Sequence, residues 1–231
     1  MKMVPATKLR TAQKKTEKAR PFFTKTFEIL RGAAATIDPE THPLVAHREI
    51  KRAHILVITA DRGLCGGYNQ RIIKMVQQEI ASNCEGRQVM ISAAGKKGRD
   101  AFRRQGLDIY QEYLDLPDEP DFELSQEIAA DLFGGFVKED FDQLLLAYTR
   151  FHSPLSHQPL LIPLLPVERR DMDEQRSGVR EYIMEPDPAT ILDLILPKYV
   201  ENVVYGALLE SKASEFGARM TAMDAATDNA Q

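Results

Sequence analysis

No run of the 231 residues comes near the ~18 consecutive apolar positions that a bilayer-spanning helix needs. The N-terminus is basic and amphipathic, without the apolar core of a secretory signal. The expected location is therefore the cytoplasm or a cytoplasmic face. Cysteine is scarce: Cys65 and Cys84 are the only two, and their separation matches no metal-ligand spacing. A disulfide framework is excluded, and a reducing compartment is the default. The five histidines, His42, His47, His54, His152 and His157, form no HxxxH or HExxH pair, so no metal site is expected. A Ser/His/Asp arrangement with a nucleophile elbow is also missing, which leaves enzyme chemistry without a residue to carry it. Tryptophan is absent too, and nothing follows from that.

Charge is present but unevenly spread. Residues 1–20 hold seven Lys or Arg against one Glu, whereas residues 108–142 hold twelve Asp or Glu against one Lys, within a net charge of −4. This fits either two solvated faces or a basic shaft that meets an acidic partner. Nucleic acid suits the basic segment poorly, because no aromatic residue is interleaved before Phe22.

The two ends of the chain carry the same helical pattern. From Asp187-Pro188, a capping side chain followed by proline at the first helical position, apolar residues recur at Leu192, Leu196, Tyr199 and Val203. They resume at Leu209, Ala213, Phe216, Met220 and Met223, with an offset near Gly206. Pro197 interrupts the first register and predicts a bend. Near the N-terminus Leu9, Ala12, Thr16, Ala19, Phe23, Thr26 or Phe27, and Leu30 repeat the alternation of three and four. Two such seams are most simply buried against each other as an antiparallel coiled coil of the N- and C-terminal helices.

Between them the period changes. AHILVITA (53–60) reads as a strand buried on both faces, 68–82 as a helix, 88–94 as a second strand, 96–104 as a helix and 107–113 as a third strand. An acidic loop at 114–121 precedes a helix at 122–138 and a fourth strand at 143–151. The proline-rich stretch 159–166 is confined to a sheet edge or an irregular segment, and 180–184 is a possible last strand. This alternation predicts a Rossmann-like α/β domain with a mostly parallel sheet of about five strands. The expected division is a helix at 1–36, a linker at 37–52, the α/β domain at 53–186 and a second long helix at 187–231.

One stretch could carry chemistry. Asp61, Arg62, Gly63, Leu64, Cys65, Gly66 and Gly67 join a buried strand to a helix, and a glycine-rich loop at a helix N-terminus can hold a phosphate. The loop lacks the Gly-Lys-Ser/Thr ending of a P-loop and the spacing GxGxxG. A tight structural turn formed by Asp61, Arg62, Gly63, Gly66 and Gly67 is the simpler reading, with a Rossmann-type nucleotide-binding module or enzyme as the alternative. Cys65 beside Arg62 fits either a thiol of lowered pKa or an inert buried one.

The run ITADRGLCGGYNQRI resembles the segment that follows the first strand in the gamma subunit of rotary F-type ATP synthases. MKMVPATKLRTAQ…ARPF is similar to that family's N-terminal shaft helix, EPDPATILDLILPKYVEN to its re-entry helix, and LLESKASEFGARMTAMDAATDNA to its C-terminal motif. The resemblance implies a non-catalytic rotor of the central stalk, peripheral on the cytoplasmic face of the bacterial inner membrane, with no cofactor. Its implied partners are the alpha and beta subunits of the catalytic hexamer, the epsilon subunit and the c-ring. Met1, Lys2, Met3, Arg219, Met220 and Met223 would then face the beta levers, while Tyr182 and Glu185 would lie against the c-ring. Against the family's pattern the chain is expected to be shortened at both ends.

Overall fold

The computed structural model describes residues 3–36, 49–167 and 187–229. In chain order the elements are α1 (Met3–Thr36), β1 (Arg52–Ile58), α2 (Tyr68–Asn83), β2 (Gln88–Ala94), α3 (Lys96–Arg104) and β3 (Asp108–Tyr113). There follow α4 (Phe122–Val137), β4 (Gln143–Ser153), β5 (Ser156–Leu165) and α5 (Pro188–Asp228). Linker residues 37–48, the possible strand at 180–184, and Tyr182 and Glu185 lie outside the described residues.

The five strands form one sheet in the order β3-β2-β1-β4-β5. β1 is parallel to both β2 and β4, with Val57 opposite Ala93 on one side and Ala147 on the other. β5 runs antiparallel to β4 at the edge, with Pro159 opposite Thr149 and Pro163 opposite Leu145. An edge strand tolerates these prolines because only one of its sides needs ladder donors.

Side-chain alternation divides β1 between two cores. Ile55 and Val57 pack with Ile72 and Val76 of α2 and Phe102 of α3. Leu56 and Ile58 face the other way, onto Ile128, Leu132 and Phe136 of α4 and the apolar residues of α5. A run buried on both faces thus reads as continuously apolar, as AHILVITA does.

Asp187 caps α5 by accepting the Thr190 N–H at 2.9 Å, and the helix then runs unbroken through Pro197 and Gly206. Leu192, Leu196, Leu209, Ala213 and Phe216 of the expected seam are buried, but so are Val200, Val204, Ala207 and Leu208. From Ser211 to Ala218 every residue is buried. A helix covered all round is surrounded by structure, whereas a two-stranded seam would leave a wet back. Along α1, Leu9 and Ala12 share a cluster with Ala213 and Phe216, while Leu30 joins the cluster that contains Leu192, Leu196 and Val200.

Candidate functional site

In an open parallel sheet a ligand usually binds beyond the carboxyl ends of the strands, where the strand order reverses. Here that point lies between β1 and β4, and the loop Asp61–Gly67 leaves β1 beside it. The geometry shows what fills the crevice.

Beyond the last β1 pairing, β4 continues to Thr149. Its N–H donates to Ser211 Oγ at 3.3 Å, and its carbonyl accepts from Ser214 Oγ at 3.2 Å. Helix α5 therefore stands where a further stretch of strand or a ligand would meet these backbone groups. Ala60, Cys65 and Tyr68 pack on Ala218 of the same helix. The Tyr68 hydroxyl donates to the Ser211 carbonyl at 3.1 Å, and burial raises its pKa far above the usual phenol value. On the hairpin side, a Cβ on Gly217 would come within 3.0 Å of the Pro154 carbonyl oxygen, so glycine lets the β4–β5 turn lie on α5.

The N-terminus of α3, after the neighbouring strand β2, is occupied by the chain's own carboxylate, whereas α2, which the glycine-rich loop opens, starts at Gly67 without a side-chain cap. Asp61 Oδ1 accepts from the N–H groups of Lys96 at 3.0 Å and Asp115 at 3.2 Å, and Oδ2 accepts from Leu116 at 3.0 Å. The Lys96 N–H opens α3, where an anion would otherwise be held. Thr59 completes the cap, accepting from the Gly98 N–H at 2.9 Å and donating to the Gly95 carbonyl at 3.2 Å. That closeness requires Gly95, whose φ is 112° and whose Cβ would lie 2.3 Å from the Thr59 carbonyl oxygen.

Within the turn itself, Gly66 takes a positive φ of 54° and Leu64, at φ 62°, shares the left-handed region. A Cβ at Gly63 would meet nothing within 4 Å, and one at Gly67 would meet only the Arg71 side chain at 3.9 Å, so close packing constrains neither. Asn69 braces the turn by accepting the Ala60 N–H at 2.9 Å and donating to Cys65 Sγ at 3.2 Å. Burial raises the Cys65 thiol pKa, and the nearby Arg219 lowers it only in part. That is the inert thiol of the two alternatives.

Of the expected contact residues, Arg219, Met220 and Met223 are described together with their side chains; the Met3 side chain, like all of Met1 and Lys2, is not. Arg219 turns inward, pairing with Glu215 at 2.7 Å and donating to the Gly63 carbonyl at 3.4 Å. Met220 packs on the Leu9 and Phe216 cluster, and Met223 is half-buried. Composition did not reveal Ser211, Lys212, Ser214 and Glu215, yet they are the polar residues through which α5 meets the sheet and its loops. Their signal was there to read: with Glu210 they make five polar residues in the six positions 210–215, between the apolar Leu208-Leu209 and Phe216.

The acidic loop finds basic partners inside the molecule. Lys8 pairs with Asp118, holding that carboxyl below the usual range, and Lys15 pairs with Glu119 at 2.8 Å. These pairs are a third to a half exposed and so are screened. On the outer side of α1, Arg10, Lys14 and Lys18 remain exposed. Among the described residues there is no group of three or more His, Cys, Asp or Glu able to hold a metal ion, and no helix long and apolar enough to cross a membrane.

Comparison with known proteins agrees with this geometry. The ATP synthase family model matches residues 1–231. The ATP synthase gamma chain of Halothermothrix orenii is 46% identical over 233 residues, covering 100% of this chain and 80% of that protein. The gamma chain of Moorella thermoacetica is 44% identical with the same coverage. Among solved structures, the central stalk and c-ring of the Tetrahymena thermophila mitochondrial ATP synthase contains a chain that superposes with a TM-score of 0.73 at 25% identity, covering 98% of this chain and 97% of that one. A crevice filled by its own helix and a family match along the whole sequence converge on one conclusion: the chain belongs to the family of ATP synthase gamma chains.

Proposed function

We propose that the protein works as the central rotor of an F-type ATP synthase, coupling ion-driven rotation of the c-ring to conformational cycling of the alpha/beta hexamer. The observation that carries this reading is the placement of α5. A helix of 41 residues, ~60 Å long, runs through the crevice where a Rossmann-type domain would hold its ligand, and pairs with α1. Such a scaffold offers a stiff shaft and no chemistry of its own.

In this reading α1 and α5 act as an antiparallel coiled coil that the foot encloses where α5 is buried all round; residues 1–36 and 187–231 form the shaft, 37–52 the linker and 53–186 the foot. Met1, Lys2, Met3, Arg219, Met220 and Met223 face the beta levers, Arg219 also fixing the Gly63 turn to the helix. Tyr182 and Glu185 meet the c-ring, and epsilon docks on the foot at the cytoplasmic face of the membrane. The mechanism is one of shape: an asymmetric shaft presents a different side to each of three identical catalytic subunits, and each orientation favours a different conformation. The exposed Arg10, Lys14 and Lys18 suit a sleeve of opposite charge, since screened contacts bias conformations and still let the surfaces slide.

Reconstitution with alpha, beta, epsilon and the c-ring in vesicles is the direct test. Co-purification and ATP-driven ion pumping are expected, and a chain that fails to join the complex would overturn the reading. Calorimetric titration of the isolated chain with ATP, ADP and NAD tests the nucleotide-binding alternative. No heat of binding is expected, because α5 fills the crevice that a nucleotide would need.

A further inference from the structure

We infer that Lys212 is a positioning residue that keeps the loop at 114–121, with the β1 exit and the start of α3 bound to it, turning with helix α5 under torque. This rests on the rotor reading and adds to it a load path from the loop to the shaft, beside the bonds that Thr149 and Tyr68 make to α5.

The Leu116 peptide units connect two parts of the molecule. The Leu116 N–H donates to Asp61 at the end of β1, at 3.0 Å, and its carbonyl accepts from Lys212 Nζ on α5, at 3.3 Å. Asp61 also takes the N–H groups of Lys96 and Asp115, so the loop, the start of α3 and the exit of β1 share one carboxylate. Lys212 then joins that assembly to the helix. On its other side the loop reaches α1 through Lys8–Asp118 and Lys15–Glu119, but those pairs stand partly in water, whereas the Lys212 side chain is 7% exposed.

The choice of lysine needs a reason, because a buried cation is costly and an apolar side chain of the same length would pack at less expense. Neutralising Glu215 does not supply it. Arg219 already pairs with Glu215 at 2.7 Å, and Lys212 stands farther off at 3.5 Å. What Lys212 alone provides is a directional bond to the Leu116 carbonyl. Apolar packing of Leu116 resists separation but is not directional, so it opposes slippage around the helix weakly. A charged hydrogen bond in a dry setting has a preferred geometry and opposes it strongly.

The test uses the full chain in the reconstituted complex, with ATP hydrolysis and ATP-driven ion pumping measured on the same vesicles. Lys212→Met should assemble and hydrolyse ATP while ions pumped per ATP fall by about fivefold or more, the low end of typical coupling effects. A second variant adds Lys8→Cys and Asp118→Cys to Lys212→Met, and a bifunctional methanethiosulfonate reagent bridges the two thiols with a spacer that replaces the length of the lysine side chain. The bridge should restore the pumping ratio by tying the loop to the helices, and reduction of its two disulfides should abolish it again in the same sample. An unchanged ratio in Lys212→Met would overturn the inference. So would a proportional loss of both activities, which marks a purely structural role, or a completed bridge that restores nothing. Failure of the wild-type chain to assemble or pump would instead count against the rotor reading.

Discussion

Mild acid should destabilise the sheet through His54. This residue sits on the central strand β1 with no exposed surface, Nε2 lies 2.8 Å from the buried Ser92 Oγ, and the ring meets Phe141 and Tyr110 edge-on at 4.4 and 4.9 Å. Nδ1 is buried with no hydrogen-bond partner. A neutral ring leaves it a lone pair, but an imidazolium would carry an N–H there with nothing to accept it. Burial accordingly lowers the pKa from 6.5 to about 4. Since the folded value lies below the unfolded one, the unfolded chain binds the proton first as pH falls. The stabilisation is complete above about pH 6.5, is lost across the window down to about 4, and stays lost below it. A separation of that size corresponds to about 3 kcal/mol in full and about 2 kcal/mol by pH 5. The assay is urea unfolding at a series of pH values for the wild type and for His54→Gln, which stays neutral and keeps a donor near Ser92. The two curves should diverge below about pH 6.5, the wild type falling more steeply. Parallel curves would refute the reasoning, because carboxylates common to both proteins would then account for the whole acid response.

Asp61→Ala should release the Lys96, Asp115 and Leu116 amides together and cost about 2–3 kcal/mol; hydrogen exchange at these three sites is the readout, and unchanged protection would show that other groups hold them. Gly217→Val should destabilise by about 1–3 kcal/mol because the Pro154 backbone leaves no room for its side chain. By contrast, Gly134→Ala in α4, where a Cβ would meet nothing within 4 Å, should stabilise by about 0.5–1 kcal/mol. Thermal unfolding of both variants checks the contrast, and shifts of the same sign would contradict it. Leu9→Asp and Phe216→Asp each bury a charge in one shared cluster, at a cost of several kcal/mol; helical circular dichroism should fall in both, and an unchanged signal would mean that α1 and α5 do not bury these faces.

Much of the molecule could be read from its amino acids because the signals are local. The strand at Gln88–Ala94 and the helix at Lys96–Arg104 have the bounds that their patterns predict, and the prolines of 159–165 indeed lie in an edge strand. Hydrophobic period and proline chemistry act over a few residues, so a short window contains the information. Asp187-Pro188 announced the start of α5 for the same reason. Tertiary structure decided who covers whom. Spacing alone made α5 one half of a narrow seam, but the sheet, the Asp61–Gly67 turn, the acidic loop and the hairpin tip close around it as well, and their positions depend on contacts between residues up to about 150 apart. That Asp61 would occupy the N-terminus of α3, that Gly95 would be required by Thr59, and that Lys8 and Lys15 would find acidic partners within the same molecule all follow from such closures. A carboxylate, a glycine or a lysine carries no mark of its distant partner, so these pairings existed only once the chain had folded.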